Sequence, residues 1–158
     1  MKNVIITGAD GFVGSYTVNY FLEQGCQVLA LDMGEKPNRL AEHPSLTYRK
    51  CDISDAAALE AIAEPGVYDT FVHFAWAGSA GPARVDYNLQ LQNALNTVEC
   101  LKTAKRLGCS RFVCAGSIME KEVEAAVHDQ GSRPGMGYIY GMGKHIAHCL
   151  CKSVAADI

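Results

Sequence analysis

The sequence predicts an α/β fold in which helices cover both faces of a doubly wound parallel sheet with strand order 3-2-1-4-5. Short apolar runs alternate with segments of helical periodicity along the whole chain. The connections between them are short, as right-handed strand–helix–strand crossovers require. A glycine-rich turn follows the first apolar run, at the position where the strand order of such sheets reverses.

Five apolar runs predict the strands. The first, residues 4–7, is rich in β-branched side chains and is broken by Gly8, which predicts a buried strand followed by a turn. The fourth run is apolar apart from His73, as expected of a strand covered on both faces. The remaining strands are predicted over residues 26–31, 46–51, 69–75 and 111–115.

Helical spacing predicts the segments between the strands. The first helix begins at Phe12 and ends before Gly25, a residue type favoured after a helix C-terminus. Ser54 is predicted to cap a short alanine-rich helix over residues 55–63. The longest helix is predicted over residues 85–107 and the last over 140–155. Residues 33–45 contain two prolines and predict a loop with room for one helical turn.

Length and composition exclude several classes of protein. The 158 residues correspond to one ordinary domain, and 49% hydrophobic against 20% charged residues excludes a disordered or collagen-like chain. A net charge of -3 with no basic block argues against nucleic-acid binding, and no apolar stretch predicts a membrane span. Seven cysteines without a C-x-x-C pair predict reduced core thiols in a cytoplasmic protein, with no metal site.

The turn after the first strand has the glycine spacing G-x-x-G-x-x-G, formed by Gly8, Gly11 and Gly14. This spacing suits a phosphate-binding turn, because glycines permit a tight turn, a close approach of pyrophosphate and close packing of the following helix. The alternative is a structural turn without a ligand. Its place between a strand and a helix favours dinucleotide binding.

Asp32 stands at the end of the second predicted strand, eighteen residues after Gly14. A carboxylate there accepts both ribose hydroxyls of an adenosine, which favours NAD. NADP remains the alternative cofactor, since Lys36 or Arg39 on the following loop would suit a 2′-phosphate.

Tyr140 and Lys144 are four residues apart and therefore share one face of the last helix. A cation near a tyrosine favours the phenolate that general acid–base chemistry needs, although the same spacing also occurs in plain surface contacts. Ser117 follows the fifth strand, at the edge where parallel sheets bind ligands, or serves as a turn or cap hydroxyl.

Together these motifs resemble the extended short-chain dehydrogenase/reductase family, in its NAD-dependent epimerase/dehydratase branch, which acts on nucleotide sugars. The resemblance covers the whole chain and implies a Rossmann-type fold. Its motifs are Thr7-Gly8-x-x-Gly11-Phe12-Val13-Gly14, Asp52-Ile53, His73-Phe74-Ala75, Ser117 and Tyr140-x-x-x-Lys144.

The resemblance assigns roles to these residues. Tyr140 would be the catalytic acid/base, Lys144 would bind the nicotinamide ribose and favour the phenolate, and Ser117 would hydrogen-bond the reacting oxygen. Asn88 resembles a supporting asparagine of the family. The implied cofactor-binding residues are Gly8, Gly11, Phe12, Val13, Gly14, Asp32, the adenine contacts Asp52 and Ile53, the wall residues Phe74, Ala75 and Trp76, and Tyr140 and Lys144.

The resemblance implies an epimerase, dehydratase or reductase that acts on a nucleotide sugar by transient hydride transfer. A non-catalytic NAD(P)-binding module and a reductase of small carbonyl compounds are the alternatives. The substrate contacts are open, because Glu120-Lys121-Glu122 replaces the common Val-Tyr-Gly. Glycines between residues 131 and 143 predict either a flexible approach to Tyr140 or simple connecting turns.

Family members are about twice as long as this chain. We therefore expect residues 1–158 to be the cofactor-binding part, without the substrate-binding part and inactive alone. By analogy with the family, a homodimer is expected through the long helix and the Tyr140 helix. The interface candidates are Leu91, Leu95, Val98 and Leu150.

Overall fold

The computed structural model describes residues 2–158. The strands are β1 (Asn3–Thr7), β2 (Gln27–Asp32), β3 (Leu46–Lys50), β4 (Thr70–His73) and β5 (Arg111–Cys114). The helices are α1 (Phe12–Glu23), α2 (Ala56–Glu60), α3 (Tyr87–Arg106), α4 (Met119–His128) and α5 (Ile139–Asp157). Two short 3₁₀ helices span Pro82–Val85 and Met136–Tyr138.

The chain divides into two compact units. The first holds the residues up to Ala75 together with Glu99–Cys114, and the second holds Trp76–Val98 and Ala115–Ile158.

The first unit contains the whole sheet. All strand pairs are parallel and the order is β3-β2-β1-β4-β5, which confirms the predicted order and fold class. Ile6 on the central strand pairs with Ala30 on one side and Val72 on the other. The carboxyl ends of β1 and β4 thus lie side by side, where the glycine turn begins.

Both faces of this sheet are covered. Val4 and Ile6 point to a cluster shared with Val18 and Leu22 of α1, whereas Ile5 points to the opposite cluster. That second cluster includes Leu59 of α2 and the end of α3, with side chains from Cys100, Ala104 and Leu107. The alternation along β1 explains why its sequence is continuously apolar.

The second unit contains helices only, apart from its connecting segments. Helix α4 packs against α5, and α5 also contacts both 3₁₀ helices. Gly141 permits this approach, because a Cβ there would lie 2.9 Å from the Cβ of Met119. Gly141 and Gly143 are buried residues of α5, so the prediction of flexible or simple turns is wrong for these two glycines.

Several element predictions are corrected. The residue that caps α2 is Asp55, whose carboxylate accepts the backbone N–H of Ala58, whereas the hydroxyl of Ser54 donates to Asp52. Helix α2 is consequently shorter than predicted, and residues 33–45 contain no helical turn. Helix α3 begins at Tyr87 after a 3₁₀ turn, and α4 is a helix that the sequence analysis did not predict.

Two features are absent from residues 2–158. Among these residues no helix combines the length and apolar character needed to cross a bilayer. Nor do three or more His, Cys, Asp or Glu side chains of this part of the chain gather as a metal site would require.

Candidate functional site

The glycine turn of the first unit is shaped by close backbone packing. Gly8 has a φ of +65°, and a Cβ there would lie 2.6 Å from the backbone nitrogen of Ala75. A Cβ on Gly14 would lie only 2.0 Å from the carbonyl oxygen of Gly8. Any side chain at these positions would push the turn away from β4 or away from the first turn of α1.

Helix α1 begins at this turn without a side-chain cap. Gly11 is the N-cap in extended conformation, and it has no side chain to accept the first backbone N–H groups of the helix. Phe12 and Val13, the first two residues of the helix, are both exposed. The geometry is that of an anion-binding helix N-terminus.

Asp32 lies at the end of β2 and faces the same turn. One carboxylate oxygen accepts the backbone N–H of Asp10 at 2.8 Å, and the other accepts that of Met33 at 2.8 Å. Each oxygen of a carboxylate has a second lone-pair site, so Asp32 retains acceptor capacity for ligand hydroxyls. The structure thus places the predicted ribose acceptor beside the predicted phosphate turn.

Asp10 is a residue of this turn to which the sequence analysis gave no role. Its carboxylate accepts the backbone N–H groups of Asn38 and Arg39 at 2.8 and 2.7 Å, which ties the loop after β2 to the turn. Burial opposes ionisation of Asp10, but these hydrogen bonds, with that of the Asn38 side chain and the charge of Arg39, lower its pKa overall.

The remaining residues predicted to contact the cofactor in this unit lie at the ends of β3 and β4. Asp52 is exposed, and its carboxylate accepts two hydrogen bonds from Ser54, which lower its pKa. Ile53 packs partly against the core cluster that contains Leu59. Phe74 packs against the opposite cluster, and Ala75 lies against Gly8.

Tyr140 and Lys144 lie one turn apart on α5 in the second unit, as predicted. The ammonium of Lys144 donates to the carbonyl oxygen of Ala115 at 2.9 Å and lies 3.7 Å from the centre of the Trp76 ring. Only 7% of Lys144 is exposed. The side chain is thus held in one position.

The Tyr140 ring has two neighbours of its own. Trp76 meets it edge to face with ring centres 6.1 Å apart, and the guanidinium of Arg84 lies 4.2 Å from its centre. Arg84 also donates to the carbonyl oxygen of Ser79 at 3.0 Å. A tyrosine framed in this way has a fixed ring plane and a cation on its face.

Gln90 of α3 fixes the segment that carries Trp76. Its side-chain oxygen accepts the indole N–H at 2.7 Å, and its side-chain nitrogen donates to the carbonyl oxygens of Gly78 and Ala83 at 3.0 and 3.1 Å. Asn93, one turn later, makes two hydrogen bonds to the backbone of Ala77. Both amides are buried, whereas Asn88, the predicted supporting residue, is exposed.

Ser117 lies at the beginning of α4 in a reciprocal cap. Its hydroxyl accepts the backbone N–H of Met119 at 3.2 Å, and its own backbone N–H donates to the Glu120 carboxylate at 2.6 Å. The other oxygen of Glu120 lies 2.9 Å from the imidazole of His148 on α5. The cap role that the sequence left open is therefore present, while the hydroxyl keeps its own proton for donation.

Sequence reasoning missed Arg84, Gln90 and the contact between Trp76 and Lys144. One signal was available: Gln90, Asn93 and Thr97 are polar residues at helical spacing on α3, and all three are buried. Polar side chains on the buried face of a helix indicate a hydrogen-bond network, but their partners are distant in sequence.

Comparison with known protein families identifies the family of this chain. The model of the NAD dependent epimerase/dehydratase family matches residues 4–158. The chain belongs to this family. Membership confirms the predicted family, and the NAD dependence of the family confirms the predicted cofactor.

The individual relatives of this chain are longer than the chain itself. UDP-glucose 4-epimerase 1 of Oryza sativa subsp. japonica is 27% identical over 128 residues, which are 74% of this chain and 36% of that protein. Bordetella bronchiseptica WbmH, solved in complex with NAD+, matches with a TM-score of 0.75 and 25% identity over 97% of this chain and 53% of that chain. This chain therefore spans between about a third and half of the length of these relatives.

The fold likeness extends to more distant structures. The UDP-Glc/GlcNAc 4-epimerase of Campylobacter jejuni has a TM-score of 0.79 at 21% identity and covers 99% of this chain and 50% of that chain. At that identity the likeness concerns the fold alone.

Proposed function

We propose that this chain is part of an NAD-dependent epimerase that acts on a nucleotide sugar, with a UDP-hexose as the substrate class. The observation that carries the proposal is the pairing of Tyr140 with a buried, fixed ammonium one helical turn away. The substrate class is supported by the names of family members, among them UDP-glucose 4-epimerase 1 of rice.

The first unit would hold NAD. Gly8, Gly11 and Gly14 leave the backbone of the turn open to a pyrophosphate, and the uncapped start of α1 offers N–H donors to it. Asp32 would accept the adenosine ribose hydroxyls with the lone pairs that its two backbone hydrogen bonds leave free. These residues fit a dinucleotide, and Asp32 favours NAD over NADP. When bound, NAD supplies an acceptor and donor of hydride.

Tyr140 would move the proton. As a phenolate it accepts the proton of a sugar hydroxyl when that carbon is oxidised, and as a phenol it returns the proton when the ketone is reduced. Lys144 would present its ammonium, held by a carbonyl oxygen and an indole face, one helical turn from Tyr140. Ser117 would donate its hydroxyl proton to the reacting oxygen.

The proposal includes a homodimer formed through α3 and α5. Leu91 and Leu95 lie one turn apart on α3 and are 45% and 54% exposed, and Leu150 of α5 is 38% exposed. Two copies of such faces would bury apolar side chains that each chain alone leaves in water. Light scattering should give twice the chain mass, and Leu95→Glu should shift it toward the monomer. A wild-type chain that stays monomeric at high concentration would refute this part.

The function is tested by turnover. We expect the longer protein of which this chain is part, incubated with NAD and UDP-glucose, to form UDP-galactose, which chromatography separates from the substrate. Residues 1–158 alone should bind NAD without this conversion. Tyr140→Phe should abolish this conversion and leave NAD affinity nearly unchanged, and Tyr87→Phe, on an exposed tyrosine of α3, is the matched control. A Tyr140→Phe variant as active as the wild type would refute the role of Tyr140. A longer protein that binds NAD and converts no UDP-sugar would favour the non-catalytic alternative.

A further inference from the structure

Lys144 is held by an aromatic platform rather than by its own helix alone. Its ammonium lies 3.7 Å from the centre of the Trp76 ring and 2.9 Å from the carbonyl oxygen of Ala115. Of the aromatic rings, indole binds cations most strongly, and the attraction grows when the pair is shielded from water. With 7% of Lys144 exposed, this pair is shielded.

The platform itself is anchored. The indole N–H of Trp76 donates to Gln90, and Gln90 is 1% exposed. The same amide binds the carbonyl oxygens of Gly78 and Ala83, so the segment after Trp76 is fixed to α3 as well. An indole with its only polar atom bonded and its backbone neighbours fixed has little freedom to rotate.

Helix α5 is brought close to this anchor by Gly143. A Cβ at Gly143 would lie 3.0 Å from both the Cβ and the carbonyl oxygen of Gln90. Gly143 directly precedes Lys144 in sequence. The surroundings of Lys144 therefore include two contacts of Gln90, its hydrogen bond to the indole of Trp76 and its packing against Gly143.

We propose that Trp76, held by Gln90, is a positioning residue for Lys144: its indole face fixes the ammonium at the place from which Lys144 serves Tyr140 and the cofactor. This role is additional to the predicted wall along the cofactor, and its catalytic consequence rests on the proposed function. An indole face suits this purpose because it attracts a cation without removing its charge.

Nuclear magnetic resonance tests the placement without any ligand. In protein labelled with ¹³C-lysine, the ε-methylene protons of Lys144, identified by their loss in Lys144→Met, should be shifted upfield by the Trp76 ring current. Trp76→Leu should remove this shift, and Trp76→Phe, which keeps a ring face, should keep part of it. Lys144 protons at the ordinary lysine position in the wild-type protein would overturn the proposal.

NAD affinity, measured by titration calorimetry, tests the consequence. Trp76→Leu should weaken NAD binding about fivefold to tenfold, the change that loss of a desolvated cation–π contact corresponds to. In the Lys144→Met background the same change should add little, because the partner is already absent. Tyr87→Leu, which removes an exposed aromatic side chain of the same unit, is the control and should bind NAD like the wild type.

The outcomes separate the two claims. Unchanged NAD affinity in a folded Trp76→Leu protein, or equal losses in the presence and absence of Lys144, would overturn the positioning role. If Trp76→Leu melts at a much lower temperature, Trp76→Phe serves instead and should lose less than threefold in affinity. A wild-type protein that does not bind NAD would refute the proposed function, and the resonance shift would still decide the placement of Lys144.

Discussion

The glycine turn of the first unit and the Tyr140–Lys144 helix of the second are both short motifs, but different interactions shape them. The turn depends on backbone packing, since a Cβ on Gly14 would lie 2.0 Å from the oxygen of Gly8. The helix motif is surrounded by side chains, since Trp76 contacts both Lys144 and Tyr140 and Arg84 contacts the Tyr140 ring.

Because of this difference, the geometry of the turn can be predicted from the sequence more completely than that of the helix motif. The contacts among Gly8, Gly11 and Gly14 lie within seven residues, so the glycine spacing predicts most of the local geometry of the turn. The contacts of the turn with Ala75, Asp32 and Asn38 are distant in sequence. The partners of Lys144 lie 29 positions away at Ala115 and farther still at Trp76. The spacing along α5 predicts that Tyr140 and Lys144 share a helix face. It does not predict which residues contact them.

The largest effect is expected from Gly14→Ala. The new Cβ would overlap the carbonyl oxygen of Gly8, so the turn must open, and we expect a loss of about 3 kcal/mol or more in the free energy of unfolding. Urea denaturation measures this loss. Gly25→Ala is the control: Gly25 has a φ of +74° but open space around it, and only the left-handed backbone should cost about 1–2 kcal/mol. Equal losses would show that packing does not define the turn.

Gln90→Leu tests the side-chain region. The change removes three hydrogen bonds and leaves the indole N–H of Trp76 without its partner, so we expect a loss of about 2 kcal/mol in urea denaturation. Gln92→Leu on the same helix is the control, because Gln92 is exposed and bonds only to Asn96, and it should stay within about 0.5 kcal/mol of the wild type. A neutral Gln90→Leu would contradict the anchoring role of this amide.

Gly143→Ala measures how closely α5 approaches α3. Alanine favours helix by about 0.5–1 kcal/mol, but its Cβ would lie 3.0 Å from Gln90, so the net result should be a loss of about 1 kcal/mol. Gly137→Ala, where a Cβ has nothing within 4 Å, should be neutral or slightly stabilising. Thermal denaturation of both variants gives the comparison. A more stable Gly143→Ala protein would mean that the helices have room to separate.

The smallest effect is expected for the loss of stability at acidic pH. Hydrogen bonds from Asn38 and Arg39 outweigh burial and lower the pKa of Asp10, so its folded pKa lies below the unfolded value of 3.8. Its contribution to stability is therefore present above that value and is lost as the pH falls through the lower, folded pKa. Urea denaturation between about pH 5 and pH 3 should show a steeper loss for the wild type than for Asp10→Asn. Parallel curves would show that Asp10 contributes nothing to this loss.

The sequence predicted the sheet order, all five strands and four of the five helices, because apolar periodicity reflects burial directly. It missed α4, whose Glu120, Glu122 and Glu124 resemble a solvated segment although Val123 is buried between them. It also assigned the cap of α2 to Ser54, one residue early, because serine and aspartate both suit a cap and only geometry distinguishes them.

For the candidate site, the sequence predicts the candidate residues but not the side chains that contact and hold them. Ser117 was recognised by its place after β5, but its reciprocal cap with Glu120 requires the start of a helix that the sequence analysis did not predict. Trp76 was expected to lie along the cofactor, while its contacts with Lys144 and Gln90 depend on how the chain folds over 68 and 14 residues of separation. Short motifs predict chemistry, and long-range packing decides how it is held.

The central claim is that the first unit binds NAD through its turn and Asp32, whereas Tyr140 serves chemistry rather than affinity. Titration calorimetry with NAD on the wild type, Asp32→Ala and Tyr140→Phe tests it directly. We predict clear binding to the wild type, at least about tenfold weaker binding to Asp32→Ala through loss of its ribose hydrogen bonds, and nearly unchanged binding to Tyr140→Phe. No binding to the wild type, or equal affinities for the wild type and Asp32→Ala, would contradict the account.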